Sequence, residues 1–151
     1  MTEQLWFLNT LVSVRVPHEL GADGVSVLES RAPRGDSPPM HVHGEDEIFH
    51  VLEGTMLVRI GDEEQIVKAG ETLLAPRGVA HSYRVDSHEA RWLVVTSHGD
   101  FERFVRSFSR PAPKAELPEA SGPPSPAEAE ALSAACRRHG IELVGPPLTS
   151  A

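Results

Sequence analysis

The sequence is poor in cysteine, aromatic residues, positive charge and long apolar runs. Its single cysteine, Cys136, rules out an internal disulfide and supplies no cysteine-based zinc site; its place in a late helical stretch reads as packing. Aromatics make up only 5% of the 151 residues. Lysine and arginine number 14 against 22 aspartates and glutamates, for a formal net charge of −8. That balance argues against a nucleic-acid backbone as partner, because phosphate binding needs a basic patch, and it disfavours an anionic membrane surface. Otherwise acidity of this size reads as ordinary solubility. No apolar run approaches membrane-spanning length, and residues 1–10 lack the basic and apolar segments of a signal peptide, so the expected place of action is the cytoplasm.

What the chain does have is turn chemistry, with 13 prolines and 12 glycines. Its length suits one domain with a modest appendage and is enough to bury a core without disulfides. Between the turns lie short apolar stretches of strand period: residues 5–16, 25–29, 47–52, 55–60, 65–68, 72–75, 80–85 and 91–96. Residues 31–39, with three prolines and a glycine, read as a loop. The spacing predicts an all-β fold, a small antiparallel β-barrel or jelly roll, over residues 1–110. Phe101, Phe104, Val105 and Phe108 share one face of a short helix with Asp100 as the expected N-cap. That helix either closes a barrel end or packs on the outside of a sheet. Residues 111–124 read as a Pro-rich linker. Residues 125–151 read as a C-terminal helix and tail, with Ser125 as N-cap, Pro126 at the first helical position, Glu128 closing a capping box and Gly140 at the far end. The apolar tail from Ile141 could dock on the barrel or on a second subunit.

The chemistry concentrates in Met40-His41-Val42-His43-Gly44-Glu45-Asp46-Glu47. On a strand, His41 and His43 point the same way, and Glu47 has the same parity. His81 would join them from another strand, as antiparallel pairing allows. Three neutral imidazoles and a carboxylate suit one divalent transition metal, Fe, Ni, Mn, Co, Cu or Zn, while the shortage of hard oxygen ligands argues against Ca or Mg. A lone histidine is more often a surface or hydrogen-bonded residue. His18, His88, His98 and His139, in loops or near element ends, take that reading. His50, of opposite parity to Glu47, should face away.

These residues resemble the cupin superfamily, and in particular the small single-domain, quercetin dioxygenase-like cupins. The first cupin motif is matched by Gly35, His41, His43, Glu47 and Gly54 at every spacing, and the second by Gly70, Pro76, Gly78 and His81. The second motif ends on Asn in the family and on Val85 here. That position is not a ligand, so the change leaves the metal site intact and makes the cavity more apolar. The resemblance implies a metal inside a small barrel, ligated by His41, His43, Glu47 and His81. Parity then turns Phe49 and Val51 inward beside Glu47, and Tyr83 and Val85 inward beside His81, with Met40 and Trp92 as further wall residues. The expected ligand is a small aromatic or weakly polar molecule.

Function diverges widely on one fold. The leading expectation is a metal-dependent dioxygenase acting on a small aromatic or enolisable substrate, with Glu47 as the base that accepts the substrate's hydroxyl proton, as the quercetinase resemblance implies. The alternatives are a metal-dependent isomerase or lyase, and a non-catalytic metal- or small-molecule-binding module. A homodimer is expected, with the strand at residues 5–16 covering the partner's sheet edge.

Overall fold

Apolar residues alternating with polar ones fold most of the chain into antiparallel strands. The computed structural model describes residues 2–149; residue 1 and residues 150–151, at the outer ends of the ranges above, lie outside it. In chain order the elements are β1 (Gln4–Phe7), β2 (Thr10–Val16), β3 (Ser26–Pro33), β4 (Pro39–His43), β5 (Glu47–Glu53), β6 (Thr55–Ile60) and β7 (Glu63–Lys68). They continue with β8 (Thr72–Ala75), β9 (His81–Val85), β10 (Glu89–Thr96), α1 (Asp100–Ser107), β11 (Arg110–Pro111), α2 (Pro126–Arg138) and β12 (Ile141–Pro147). A seven-stranded sheet runs β11-β1-β2-β3-β10-β5-β8 and a five-stranded sheet runs β12-β4-β9-β6-β7. The architecture is a two-sheet jelly roll, not a closed barrel.

The core forms where the inward positions of the two sheets meet. Along β5, Glu47, Phe49 and Val51 are buried while Ile48 and His50 between them are only partly so. Along β10, Ala90, Trp92, Val94 and Thr96 are buried in the same alternation. Gly54 makes the tight turn between β5 and β6 with φ of 87°, and a Cβ there would collide with the Glu89 carbonyl.

Four expectations change. Residues 5–16 are two strands, because the chain reverses at Leu8 and Asn9. Leu8 adopts φ of 54°, a left-handed conformation that a tight hairpin demands and leucine seldom supplies, so no Gly or Asn-Gly signal marked the turn. The outer edge of β1 is taken by β11, and β2 lies between β1 and β3. This stretch therefore offers no long free edge to a partner. The proline-rich loop shrinks to residues 34–38, since β3 runs through to Pro33 and β4 begins on Pro39, both at strand ends where proline is tolerated. Finally, the N-cap of α1 is Gly99 at φ of 82°, and Asp100 is the first helical residue.

Of the two placements open for α1, the molecule takes the open end between the sheets. Phe104 and Val105 are buried, and Phe104 meets Phe7 edge-on at 5.5 Å. The capping box of α2 forms between Ser125 and Glu128. Cys136 and Ile141 enter the same core. The tail then becomes a strand: β12 pairs with β4, setting Ile141 opposite His43 and Leu143 opposite His41. It covers the edge of the strand that carries the histidines.

Candidate metal centre

Two sheets contribute to the cluster. β4 carries His41 and His43, and its pairing with β9 sets His81 directly across from His41. The chain then crosses to the other sheet, where Glu47 opens β5 opposite Ala75. The crossing loop is held from the second motif: Gly78 N–H donates to the His43 carbonyl at 2.9 Å, and Arg77 N–H donates to Asp46 Oδ1 at 2.9 Å. The two glycine-containing motifs thus act as one mechanical unit.

One potential ligand atom from each of His41, His43, Glu47 and His81 falls within 4.8 Å of all the others. Glu47 Oε2 lies 2.6 Å from His81 Nε2 and 3.3 Å from His43 Nε2. Behind the rings, His41 Nδ1 donates to the Pro39 carbonyl at 2.8 Å and His81 Nδ1 to the Val79 carbonyl at 3.1 Å. A carbonyl only accepts, so these bonds fix the proton on Nδ1 and leave Nε2 to face the cluster. Three imidazole nitrogens and one carboxylate oxygen converging in a buried space fit a divalent transition metal.

Burial pushes the His41 imidazole down to about 4, with the neighbouring His81 adding to the effect, so it is neutral at pH 7. Burial alone would raise the Glu47 carboxyl, but hydrogen bonds from His43 and His81 outweigh it and hold it well below the usual carboxylate range. Burial works against a charged His81 too, and the Glu47 bond overrides it and raises that ring's pKa. Without a cation, Glu47 and His81 are hydrogen-bonded at 2.6 Å, and each draws the other toward its charged form.

An apolar cavity of about 70 Å³ opens beside the cluster. His41 and Glu47 form its floor and Phe49 and Tyr83 its walls. Tyr83 packs edge-on against Phe49 at 6.1 Å and Trp92 at 5.1 Å; burial, then the charges of Asp36 and Glu47, push its phenol pKa well up. Val51, Val85 and Trp92 are fully buried but do not line the cavity. Met40 is one residue out of parity with His41 and lines a cleft on the other side of β4, with Leu57 and Arg59. His50 faces away and bonds Thr72 Oγ1 at 2.7 Å. The cavity's roof comes from residues that sequence reasoning left out of the site: Leu132 and Cys136 of α2, Ile141 and Leu143 of β12, and Phe101 and Phe104 of α1. Their advance signals were the Phe stripe, the packing reading of Cys136 and the apolar tail from Ile141.

Comparison with known proteins agrees with this geometry. Residues 27–96 match the cupin domain family. Quercetin 2,3-dioxygenase of Bacillus subtilis is 36% identical over 86 residues, 56% of this chain and 26% of that enzyme. An uncharacterised protein of Streptomyces coelicolor is 33% identical over 63 residues, 42% of this chain and 60% of that one. The chain thus spans about a quarter of the length of the first relative and three fifths of the second. Among solved structures, the polyketide cyclase RemF of Streptomyces resistomycificus superposes with a TM-score of 0.54 at 26% identity, covering 64% of this chain and 72% of the cyclase.

Proposed function

We propose that this chain, whose residues 27–96 match the cupin domain family, is a metal-dependent dioxygenase acting on a small aromatic or enolisable substrate. The observation that carries the reading is the convergence of three imidazoles and one carboxylate beside an apolar cavity whose floor His41 and Glu47 form. His41, His43, Glu47 and His81 would hold one divalent transition metal, which when bound supplies Lewis acidity toward a substrate hydroxyl or enolate and, if redox-active, electron exchange with dioxygen. Pro39 and Val79 orient His41 and His81 through their carbonyls. Glu47 Oε2 faces His43 and His81, so Oε1 is the oxygen left to accept a substrate hydroxyl proton. Phe49, Tyr83, Phe101 and Phe104 exclude water and present ring faces and edges to an aromatic guest. At about 70 Å³ the cavity is far below the roughly 300–1,000 Å³ of typical small-molecule sites. It favours compact substrates, and a fused-ring flavonol would have to displace α2 and β12.

The test is elemental analysis of protein purified without added metal, paired with oxygen uptake against catechol and flavonol panels. A redox metal with uptake that Glu47→Gln abolishes while metal is retained is the expected result. Undiminished turnover in that variant would end the base role of Glu47.

The likeness to a polyketide cyclase favours a second reading, in which the same cluster acts only as a Lewis acid in an isomerase or lyase. Zinc occupancy and turnover without oxygen consumption would select it; zinc without turnover would select a binding module. The proposal includes a homodimer, supported by exposed Ile66 and Leu74 on the edge strands β7 and β8. A monomer mass at all concentrations in light scattering would remove it.

A further inference from the structure

Two of the three clustered imidazoles have their outer nitrogen satisfied by a backbone carbonyl, Pro39 for His41 and Val79 for His81. The third does not: among the described residues, His43 Nδ1 is buried without a partner. Two residues further along, Glu45 Oε2 is also buried without a partner among the described residues. Glu45 is only 3% exposed and stands outside the four-residue cluster. Its other oxygen, Oε1, reaches across to α1 and accepts Phe101 N–H at 2.9 Å. That contact caps a helix whose own N-cap, Gly99, has no side chain to do so.

The tautomer of His43 decides whether the two orphans can pair. Its Nε2 lies 3.3 Å from Glu47 Oε2, a carboxylate oxygen that can only accept. With the ring proton on Nε2, Nδ1 presents a lone pair, an acceptor like Glu45 Oε2, and the two atoms do not form a hydrogen bond in this structure. A His43 that ligates through Nε2 must carry its proton on Nδ1 instead. Nδ1 then becomes a donor, and the orphaned carboxylate oxygen nearby in the chain becomes its acceptor.

We propose that Glu45 is a positioning residue that joins the His43 tautomer to the seating of helix α1. Oε2 takes the Nδ1–H of His43 in its ligating form while Oε1 holds the first turn of α1. This inference rests on the metal-binding reading of the cluster. Coupling is reciprocal: a ligating His43 tightens the cap on α1, and a seated α1 strengthens metal binding. The helix that roofs the cavity thus responds to the state of the floor.

The test uses zinc as probe and the full chain. Zinc affinity is measured by chelator competition for wild type and Glu45→Gln, with hydrogen exchange of the α1 amides read in both. The glutamine carbonyl still accepts from Phe101 N–H, but its amide group presents a donor to a donor at Nδ1. The expected result is about 10- to 100-fold weaker zinc binding, with Phe101 protection in metal-free protein unchanged and its zinc-dependent increase lost. Zinc affinity within threefold of wild type, with wild type binding tightly, would overturn this inference alone. Failure of wild type to bind zinc, cobalt or nickel would overturn the metal reading along with it. Ring nitrogen NMR of zinc-loaded wild type decides independently of how the variant folds. A protonated His43 Nδ1 in a hydrogen bond supports the proposal, and an unprotonated or zinc-bound Nδ1 sinks it.

Discussion

Asp36, in the short loop between β3 and β4, shows how a single side chain sets a pH dependence. Burial pushes its carboxyl up to about 6, more than hydrogen bonds from Asn9 and Thr10 pull it down. An unfolded aspartate titrates near 3.9, so between about pH 4 and 6 the native state binds more protons than the unfolded state. The Asp36 contribution to stability must therefore fall as pH rises through that window and level off above it. Asp36→Asn removes the burden of an ionised buried carboxylate. The variant is expected to be more stable than wild type at pH 7 by about 1 kcal/mol, after allowance for solvent screening, and equal to it below about pH 4. Denaturant titrations from pH 4 to 8 check this, and parallel curves for the two proteins would refute it. At the same scale, His41, His43, Glu47 and His81 were legible in the sequence because parity and motif spacing are local facts. Glu45 was not, because its role depends on Phe101, 56 residues away. Met40 was misplaced relative to the cavity because adjacency to His41 in sequence means the opposite face on a strand.

At the scale of elements, α2 could be read to within a residue or two from Ser125, Pro126, Glu128 and Gly140, since caps are written in adjacent residues. Its destination could not, since Leu132 and Cys136 do not by themselves say which cavity they roof. The same limit hid the pairing of β12 with β4, a contact between segments about 100 residues apart in sequence; the hairpin at Leu8 is local and went unread because leucine carries no turn signal. The capping box gives a test of how independently this roof is held. Ser125→Ala removes the acceptor for Glu128 N–H and is expected to cost about 1 kcal/mol. The loss should appear as faster amide exchange across residues 126–138, with β2, β3 and β10 unaffected. Uniform acceleration across both sheets would mean that α2 unfolds only with the whole molecule. Truncating Leu132 to alanine should act in the other direction on the site: it widens the roof. Larger catechols should then bind more tightly than to wild type, at about 1–3 kcal/mol of stability. Unchanged ligand size preference would show that the roof does not set it.

For the molecule as a whole, the question is what the metal cluster contributes to holding the two sheets together. Glu47 joins the seven-stranded sheet to His43 and His81 of the five-stranded one, so a bound cation would clamp the sheets at one end. The opposite end does not depend on it: Val12, Leu28, Val51, Met56, Val58, Val85 and Trp92 are all nearly or fully buried. Burial of each such side chain is worth about 1.5–3 kcal/mol. The Glu47–His81 bond at 2.6 Å also keeps the cluster paired without a cation. Stripping metal with a chelator should therefore leave the protein folded at 25 °C, with its far-ultraviolet circular dichroism unchanged. Restoring metal to about 100 times its dissociation constant should add about 2.7 kcal/mol, raising the melting temperature by about 5–10 °C for a chain of this size. In Glu47→Gln the increment should shrink and the metal-free protein should itself melt lower, because His81 loses its buried partner. Global unfolding on chelation would instead make the cation part of the core, with apolar burial too weak to hold the sheets alone. An increment unchanged in Glu47→Gln would remove Glu47 from the ligand set.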